Sequence, residues 1–152
     1  MRVEVVHEEK YWYPDDGGIV WVAGFMPVDP ETRRFLGRDA LRERGLIACG
    51  VAGAAAHHDE VLQSPAVEPG AALRLERDPA NEHDANAVRV LLDGAQLGWV
   101  PRELAEELAP KLDAGEPWAA VVLREQRASP RDPRTGVTML LAPATGIELR
   151  PR

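Results

Sequence analysis

The densest group of side chains able to do chemistry lies between positions 77 and 90, in the run RDPANEHDANAVRV. Asn81, Asp84 and Asn86 carry short polar side chains that bond backbone amides a few residues further on, so they predict a tight polar loop. Asp84 has a second use, because one fixed carboxylate can also accept a hydrogen bond from the hydroxyl group of a ligand. The run therefore predicts a rigid loop ahead of a strand, with one carboxylate available to a ligand.

Imidazole and carboxylate groups are common ligands of zinc and manganese, which suggests a metal site at His57, His58, His83 and Asp84. The sequence contains no His-Glu-x-x-His motif, no cysteine pair and no second acidic cluster. Adjacent histidines on a strand also point to opposite faces, so only one of them could reach a shared site. Solvated loop histidines fit this spacing better, and neither a metal nor another cofactor is expected.

The sequence shows no recognisable catalytic arrangement. No Ser-His or Cys-His constellation is recognisable, and the glycines do not form a phosphate-binding loop. Cys49 lies in the apolar run LIACGV, which favours a buried structural thiol over a reactive one. The chain is therefore expected not to be an enzyme.

Composition is that of a globular protein and argues against a protein that coats duplex DNA. The chain has 152 residues with a net charge of −7, whereas a protein that binds along a DNA groove by counterion release is normally basic. Arginines are nevertheless concentrated near the C-terminal end, and such a local basic loop suits a site for one phosphate or one chain end. Arg131 and Arg134 are the candidate phosphate ligands there, and a solvated loop is the equal alternative.

Membrane and export signals are not recognisable. No apolar run approaches the roughly 20 residues of a membrane helix, and the start, MRVEVVHEEK, lacks the apolar core of a signal peptide. A single cysteine cannot form an internal disulfide, which is compatible with a reducing compartment. A cytoplasmic location without membrane association is expected.

Short strands with period-two alternation predict a mainly β chain. The segments 2–6 and 19–25 flank the turn Pro14–Gly18 and predict an N-terminal hairpin, and Asp93-Gly94 predicts a second hairpin between strands 87–92 and 95–100. Further strands are expected at 46–56, 72–77, 118–125, 137–142 and, weakly, 146–150.

One well-signalled helix follows the second hairpin. Pro101 fits the first helical position and Gly115 the stop, while Pro110 is expected to break or kink the last turn. One apolar helical face consists of Leu104, Ala105, Leu108 and Leu112. The whole pattern predicts a small, partly open β-barrel of about six strands over residues 47–143, capped by this helix and preceded by the N-terminal hairpin.

Residues 77–105 resemble the HIRAN domain family, whose core reads roughly R-x-P-x-N-x-x-D-x-N-A, a strand, a turn, and G-[YHW]-[LIV]-[PK]-[RK]-x-[LIV]-A. The resemblance implies an OB-like domain at 46–145, with an N-terminal extension at 1–45 and a C-terminal tail at 146–152. The positions in register are Arg77, Pro79, Asn81, Asp84, Asn86, Ala87, Gly98, Trp99, Val100, Pro101, Arg102, Leu104 and Ala105.

The resemblance implies a non-catalytic module that recognises the 3′ end of single-stranded DNA, as an accessory to DNA repair or replication-fork processing. A helicase or a nuclease is the kind of protein partner that it suggests. By position, Asp84 would accept from the 3′ hydroxyl, His83 and Trp99 would occupy stacking or edge positions, and Arg102 would meet a phosphate. His57 could stack in part.

Two departures from the family pattern keep a second function open. Where the eukaryotic form carries a basic residue followed by aromatics, the edge of the first strand reads Ala54, Ala55, Ala56, and the aromatic position near the last strand is Val137. One lost stacking platform is worth about 1–3 kcal/mol per base. The alternative is a protein–protein interaction or regulatory domain that retains the HIRAN framework without binding DNA ends.

Overall fold

The computed structural model describes residues 2–15 and 18–150, with side chains from Trp21 to Arg150. The chain is mainly β, as its alternating segments predict. In chain order the elements are β1 (Arg2–Asp15), β2 (Gly18–Val28), α1 (Arg38–Glu43), β3 (Ile47–Gly50), α2 (Ala54–His57), α3 (Asp59–Leu62), β4 (Ala72–Arg77), β5 (Val88–Leu92), β6 (Ala95–Trp99), α4 (Arg102–Asp113), β7 (Ala119–Arg127), β8 (Arg134–Ala142) and β9 (Glu148–Arg150).

Strands β3 to β8 form a curled, six-stranded antiparallel half-barrel in the order β6-β5-β4-β7-β8-β3. Its two edge strands meet at one bridge, where the backbones of Ala52 and Trp99 exchange hydrogen bonds of 2.8 and 2.9 Å. Gly98 makes this approach possible, because a Cβ there would lie 2.4 Å from the Ala52 carbonyl oxygen. The predicted partly open barrel is confirmed, and its closing bridge fixes the backbone of Trp99.

The hairpin between β5 and β6 has the predicted turn. Asp93 and Gly94 both have positive φ, 50° and 82°, as a two-residue hairpin turn of the primed type requires. The strands pair from Arg89–Trp99 to Leu92–Ala95, so the register places Arg89 directly across from Trp99.

Helix α4 covers the barrel core with its apolar face, on which Ala105 and Leu108 are buried. The helix continues to Asp113 with Pro110 inside it, so Pro110 does not break the last turn, and a kink there stays a prediction. Proline removes the bond to the carbonyl of Glu106, but both residues are exposed, so water can satisfy that carbonyl.

The predicted strand over 46–56 is too long. Strand β3 ends at Gly50, and Ala54–His57 forms the short helix α2. Gly53 turns the chain in the left-handed conformation, with φ 72°, and the alanines that follow favour a helix. The histidines at 57 and 58 consequently lie at the end of a helical turn and not on a strand.

The predicted N-terminal hairpin is formed by β1 and β2, although its turn residues 16 and 17 lie outside the described residues. Residues 21–24 of β2 pair with residues 124–127 of β7, so the hairpin extends the barrel sheet. Strand β9 pairs in parallel with β1. A second buried cluster joins this N-terminal region to the outer face of the barrel, through Phe25, Leu41, Leu46, Val121, Leu123 and Leu140.

Within residues 2–15 and 18–150, no helix is long and apolar enough to cross a membrane.

Candidate nucleic-acid interface

A cavity of about 410 Å³ opens between the polar loop after β4, the end of β6 and the start of α4. It brings together His57, His83, Asp84, Trp99 and Arg102 from separate parts of the chain. The remaining lining residues are Ala52, Asn81, Ala87 and Val100.

Side chains of the polar loop hold its own backbone, as the sequence predicts. The Oδ1 of Asn81 accepts hydrogen bonds from the backbone N–H groups of His83, at 2.9 Å, and Asp84, at 3.1 Å. The Oδ1 of Asp84 accepts one from the N–H of Asn86 at 2.9 Å. Asn86 thus takes part through its backbone, and Asn81 sets the conformation that presents Asp84.

The second carboxylate oxygen of Asp84 lies near Arg102, and both residues line the cavity. Its Oδ2 lies 4.0 Å from the Nε of Arg102, which is too far for a direct hydrogen bond. The Asp84 side chain is 21% exposed and that of Arg102 is 79% exposed. The carboxylate oxygen and the guanidinium nitrogen are therefore close enough for one ligand oxygen beside them to contact both, but too close for a group to lie between them.

Arg77 ties the polar loop to the end of α4. Its guanidinium donates to the carbonyl oxygens of Ala85, at 3.0 Å, and Ala87, at 2.8 Å, and its Nε pairs with Asp113 at 3.0 Å. The arginine at the start of the motif is thus a structural residue that holds the far side of the loop.

Arg89 supports the loop from β5, a role that the sequence reasoning missed. It pairs with Glu76 at 3.0 Å and with Asp78 at 3.2 Å. Asp78 in turn accepts a hydrogen bond from the Nδ2 of Asn81 at 3.2 Å. The available signal was an arginine on the outward-facing position of a strand, directly across a predicted hairpin from Trp99.

The rings of His57 and Trp99 stand close to each other at one wall of the cavity. A Cβ on Gly53 would lie 3.4 Å from Cδ2 of His57 and 3.5 Å from Cδ1 of Trp99, so both rings flank this glycine. His57 is exposed and Trp99 is half-buried. This part of the lining is aromatic.

The positively charged side chain in the cavity lining is that of Arg102, at the start of α4. Arg102 is its first residue, and the first N–H groups of this 12-residue helix have no partner within the helix. The helix dipole adds to the guanidinium charge and favours an anion at this end. The cavity therefore combines a carboxylate, an aromatic wall and an anion-binding wall.

Arg134 does not line the cavity, and its guanidinium is used inside the protein. It forms an ion pair with Glu125 and donates to the carbonyl oxygens of Leu62, at 3.0 Å, and Ser64, at 2.9 Å. The side chain is 10% exposed, so its geometry does not support the predicted phosphate contact. Arg131 also lies outside the cavity lining, exposed in the loop before β8, and its phosphate role stays a prediction.

Glu125 is buried between two arginines and links β7 to the segment after α3. Burial raises its pKa, but hydrogen bonds from Arg127 and Arg134, together with their charges, outweigh burial and hold the pKa below its ordinary value. This ion-pair network stabilises the chain between His57 and β4, because Arg134 holds the carbonyls of Leu62 and Ser64.

Among residues 21–150, whose side chains the structure describes, no group of three or more His, Cys, Asp or Glu side chains is arranged to hold a metal ion. Cys49 is 5% exposed, and burial raises the pKa of its thiol to about 12, as befits a structural cysteine.

Comparison with known proteins gives one family match, one curated relative and two solved structures. The family described as HIRAN domain matches residues 48–140. The relative, Fanconi-associated nuclease 1 homolog of Oryza sativa subsp. japonica, is 47% identical over 51 residues, which cover 31% of this chain and 5% of the relative. This chain thus corresponds to a small fraction of that protein's length.

The two solved structures are similar over 64% of this chain. The HIRAN domain of human HLTF is 26% identical with a TM-score of 0.46, and 74% of it is covered. A protein from Lactobacillus plantarum is 22% identical with a TM-score of 0.44, and 99% of it is covered.

Proposed function

This chain belongs to the HIRAN domain family, and on that basis we propose that it is a non-catalytic module that binds the free 3′ end of single-stranded DNA. Membership of the family supports a DNA-binding module. The end specificity is inferred from the chemistry of the cavity between the polar loop and α4.

The observation that carries the proposal is that the two oxygens of the Asp84 carboxylate have different contacts. One oxygen is bonded to the loop backbone, and the other lies 4.0 Å from Arg102. A 3′ hydroxyl can donate a charge-assisted hydrogen bond to that oxygen. A 3′ phosphate would instead bring negative charge against it, so one residue both attracts the hydroxyl end and disfavours the phosphate end.

The terminal base would stack on the wall formed by Trp99 and His57. Every base has a π face, so such a platform binds without sequence preference. His83 is exposed at the rim of the same cavity and would contact the edge of a base or sugar.

The phosphate that precedes the terminal nucleoside would lie at Arg102 and the first N–H groups of α4. One such contact suits a chain with a net charge of −7, because a single end site needs few cations whereas a long groove needs many.

An accessory role in DNA repair or replication-fork processing follows as part of the proposal. The relative named as a Fanconi-associated nuclease matches over 5% of its own length, so its nuclease activity is not extended to this chain. We infer instead that the module delivers DNA ends to a helicase or nuclease partner.

One observation favours a second function, that of a protein-interaction or regulatory domain. Val137 is 2% exposed, so it offers no platform to a base, and Ala54 is 3% exposed. A domain with fewer aromatic contacts would bind DNA ends more weakly, and its framework could serve a protein partner.

Binding to linear and circular single strands distinguishes the two functions. We expect the protein to bind a linear strand with a free 3′ hydroxyl and to bind a circular strand of the same length and composition much more weakly, because the circle has no end. Fluorescence anisotropy or competition at low salt measures both. Equal affinity for the two would contradict end recognition, and binding to neither would favour the protein-interaction function.

A further inference from the structure

The cavity between the polar loop and α4, which we call the end site, contains two side chains whose charge changes near neutral pH. Its lining holds one carboxylate, Asp84, and one guanidinium, Arg102, whose formal charges cancel. The other titratable side chains in the lining are His57 and His83. Histidine is the one side chain whose charge ordinarily changes between pH 5 and pH 8. The two histidines therefore decide whether the lining is neutral or positively charged.

Both imidazole rings are available to a ligand. His57 and His83 are exposed, and they come from different segments of the chain, α2 and the loop between β4 and β5. Within the part of the chain whose side chains are described, the ring nitrogens of neither residue form a hydrogen bond or an ion pair. The polar atoms of the two rings therefore have no structural task within this part of the fold.

Charged groups of both signs lie near the two rings. In the lining they are Asp84 from the polar loop and Arg102 from α4, whereas β6 contributes the uncharged ring of Trp99. The charged or titratable neighbours along the chain are His58, Asp59, Glu82 and, on α4, Glu103. A DNA strand bound in this cavity adds negative charge only, which shifts the balance toward the protonated rings.

A phosphate bound near Arg102 would favour the charged form of both rings. An imidazolium can donate a charge-assisted hydrogen bond to a phosphate oxygen, whereas a neutral imidazole offers a weaker bond and no charge. Because the strand interacts differently with the two forms, its binding is linked to proton uptake. The affinity gained in this way is present at low pH and is lost as the pH rises, by at most about tenfold per pH unit for each proton taken up.

We propose that His57 and His83 are proton-linked phosphate contacts of the end site, so that the protein takes up protons when it binds a DNA strand and binds more tightly in mild acid. This inference rests on the proposed function. It gives the two rings a task in addition to contact with a base or sugar, because a protonated ring can contact a base with its face and a phosphate with its nitrogens.

The affinity for a 3′-hydroxyl oligothymidylate between pH 5.5 and pH 8 tests the linkage. Thymine does not titrate in this range and carboxylates ordinarily stay charged, so histidines are the side chains whose charge changes. Anisotropy of a rhodamine label at constant ionic strength measures the dissociation constant at each pH. We expect the native protein to bind at least about tenfold more tightly at pH 5.5 than at pH 8. Calorimetry in two buffers of different ionisation enthalpy should detect proton uptake on binding near pH 6.5.

His57→Gln and His83→Gln each remove one titrating ring. Loss of the ring contacts lowers the affinity at every pH, so the readout is the ratio of the dissociation constants at pH 8 and pH 5.5 within one variant. We expect a smaller ratio in each single variant than in the native protein. The double variant should have a ratio close to one and take up no protons on binding.

His58→Gln is the matched control, because His58 is adjacent to His57 and does not line the cavity. Its ratio should equal that of the native protein, and thermal unfolding at both pH values confirms that each variant is folded. A ratio that falls in His58→Gln but not in the other variants would contradict the proposal. If the native protein binds equally at pH 5.5 and pH 8, or if the double variant keeps the native ratio, the linkage is refuted and the end site stands. If no 3′-hydroxyl strand binds at any pH, the end site and the linkage are refuted together.

Discussion

At the scale of single residues, Asp84 uses its two carboxylate oxygens for two tasks. Oδ1 closes the polar loop by accepting from Asn86, and Oδ2 lies near Arg102. Because the two tasks use different oxygens, a substitution that keeps an acceptor but removes the charge can separate loop stability from ligand recognition.

Asp84→Asn is that substitution, since the amide oxygen can still accept from the Asn86 N–H. We expect the affinity for a 3′-hydroxyl strand to fall by about 1.5–3 kcal/mol, the range of a hydrogen bond to a charged group, and the 3′-phosphate strand to become less disfavoured. Fluorescence anisotropy with matched oligonucleotides measures both affinities.

Asp93→Asn is the control for Asp84→Asn, because Asp93 occupies the turn between β5 and β6, where asparagine before glycine is equally favourable. It should bind both strands as the native protein does. An unchanged ratio of hydroxyl to phosphate affinity in Asp84→Asn would show that Asp84 does not select the end.

Residue roles were predictable from sequence where they depend on near neighbours. Asn81 and Asp84 bond amides two or three positions away, so their types and spacing were enough to predict the loop. The internal partners of Arg134, which are Glu125, Leu62 and Ser64, were not predictable, because they come from elements that only the folded barrel brings together. An exposed-looking arginine in a polar loop gives no sign of such burial.

At the scale of elements, the buried pair of Glu125 with Arg134 joins β7, β8 and the segment after α3. The folded-state pKa of Glu125 lies below the ordinary value of 4.5, so the carboxylate contributes stability that is fully present above that pH and is lost as pH falls through the folded-state pKa. We expect the native protein to lose stability in acid below about this pH.

Glu125→Gln should remove that part of the acid dependence, because the amide does not titrate. Urea unfolding between pH 7 and pH 3 measures it, and Glu148→Gln, in the exposed and short strand β9, is the control. If the free energies of unfolding of the native protein and of Glu125→Gln fall in parallel as the pH is lowered, the assigned role of this network is contradicted.

The closing bridge between β3 and β6 depends on Gly98. In Gly98→Ala the new Cβ would lie 2.4 Å from the backbone oxygen of Ala52, which cannot move without opening the bridge, so we expect a loss of about 1–3 kcal/mol in the free energy of unfolding. The Trp99 wall should shift with it and DNA binding should weaken.

Gly50→Ala, on the same barrel edge, is the control, because its nearest new contact would be the Val137 carbonyl oxygen at 3.9 Å. Chemical denaturation compares the two variants. If Gly98→Ala is as stable as Gly50→Ala, the bridge does not depend on the absence of a side chain at position 98.

Elements with strong local signals were predictable, and the helix that follows β3 was not. The turn at Asp93-Gly94 and the apolar face of α4 are encoded in consecutive residues, so the sequence predicted both. Helix α2 starts where Gly53 turns left-handed beside the bridge from Ala52 to Trp99, a contact between residues 47 positions apart in the chain. Local pattern alone favoured a continuous strand there.

At the scale of the whole molecule, the described part of the N-terminal region is joined to the barrel. Phe25 and Leu41 pack on Val121, Leu123 and Leu140 of the outer face, and β2 extends the sheet at β7. The sequence predicted an extension made of a hairpin and a connector, and nothing local indicates that β7 pairs with β4 along one half and with β2 along the other.

A fragment of residues 46–145 tests the predicted domain boundary. In this fragment, the apolar face of β7 and β8 that the N-terminal region covers would be exposed. The free energy of unfolding would fall by about 1.5–3 kcal/mol for each large apolar side chain that becomes fully exposed. We expect the fragment to unfold at a urea concentration well below that of the full chain. Equal midpoints would show that 46–145 is an independent domain and that residues 1–45 add nothing to its stability.

The central claim, selection of a free 3′ hydroxyl, is tested most directly on the native protein with two otherwise identical single strands. Fluorescence anisotropy at low salt compares the dissociation constants of a 3′-hydroxyl and a 3′-phosphate strand. The cavity predicts that the hydroxyl strand binds at least about tenfold more tightly, as expected for one charge-assisted hydrogen bond gained and one repulsion avoided. Equal affinities for the two strands would contradict the claim. The absence of binding to both strands would also contradict it and would favour the protein-interaction function.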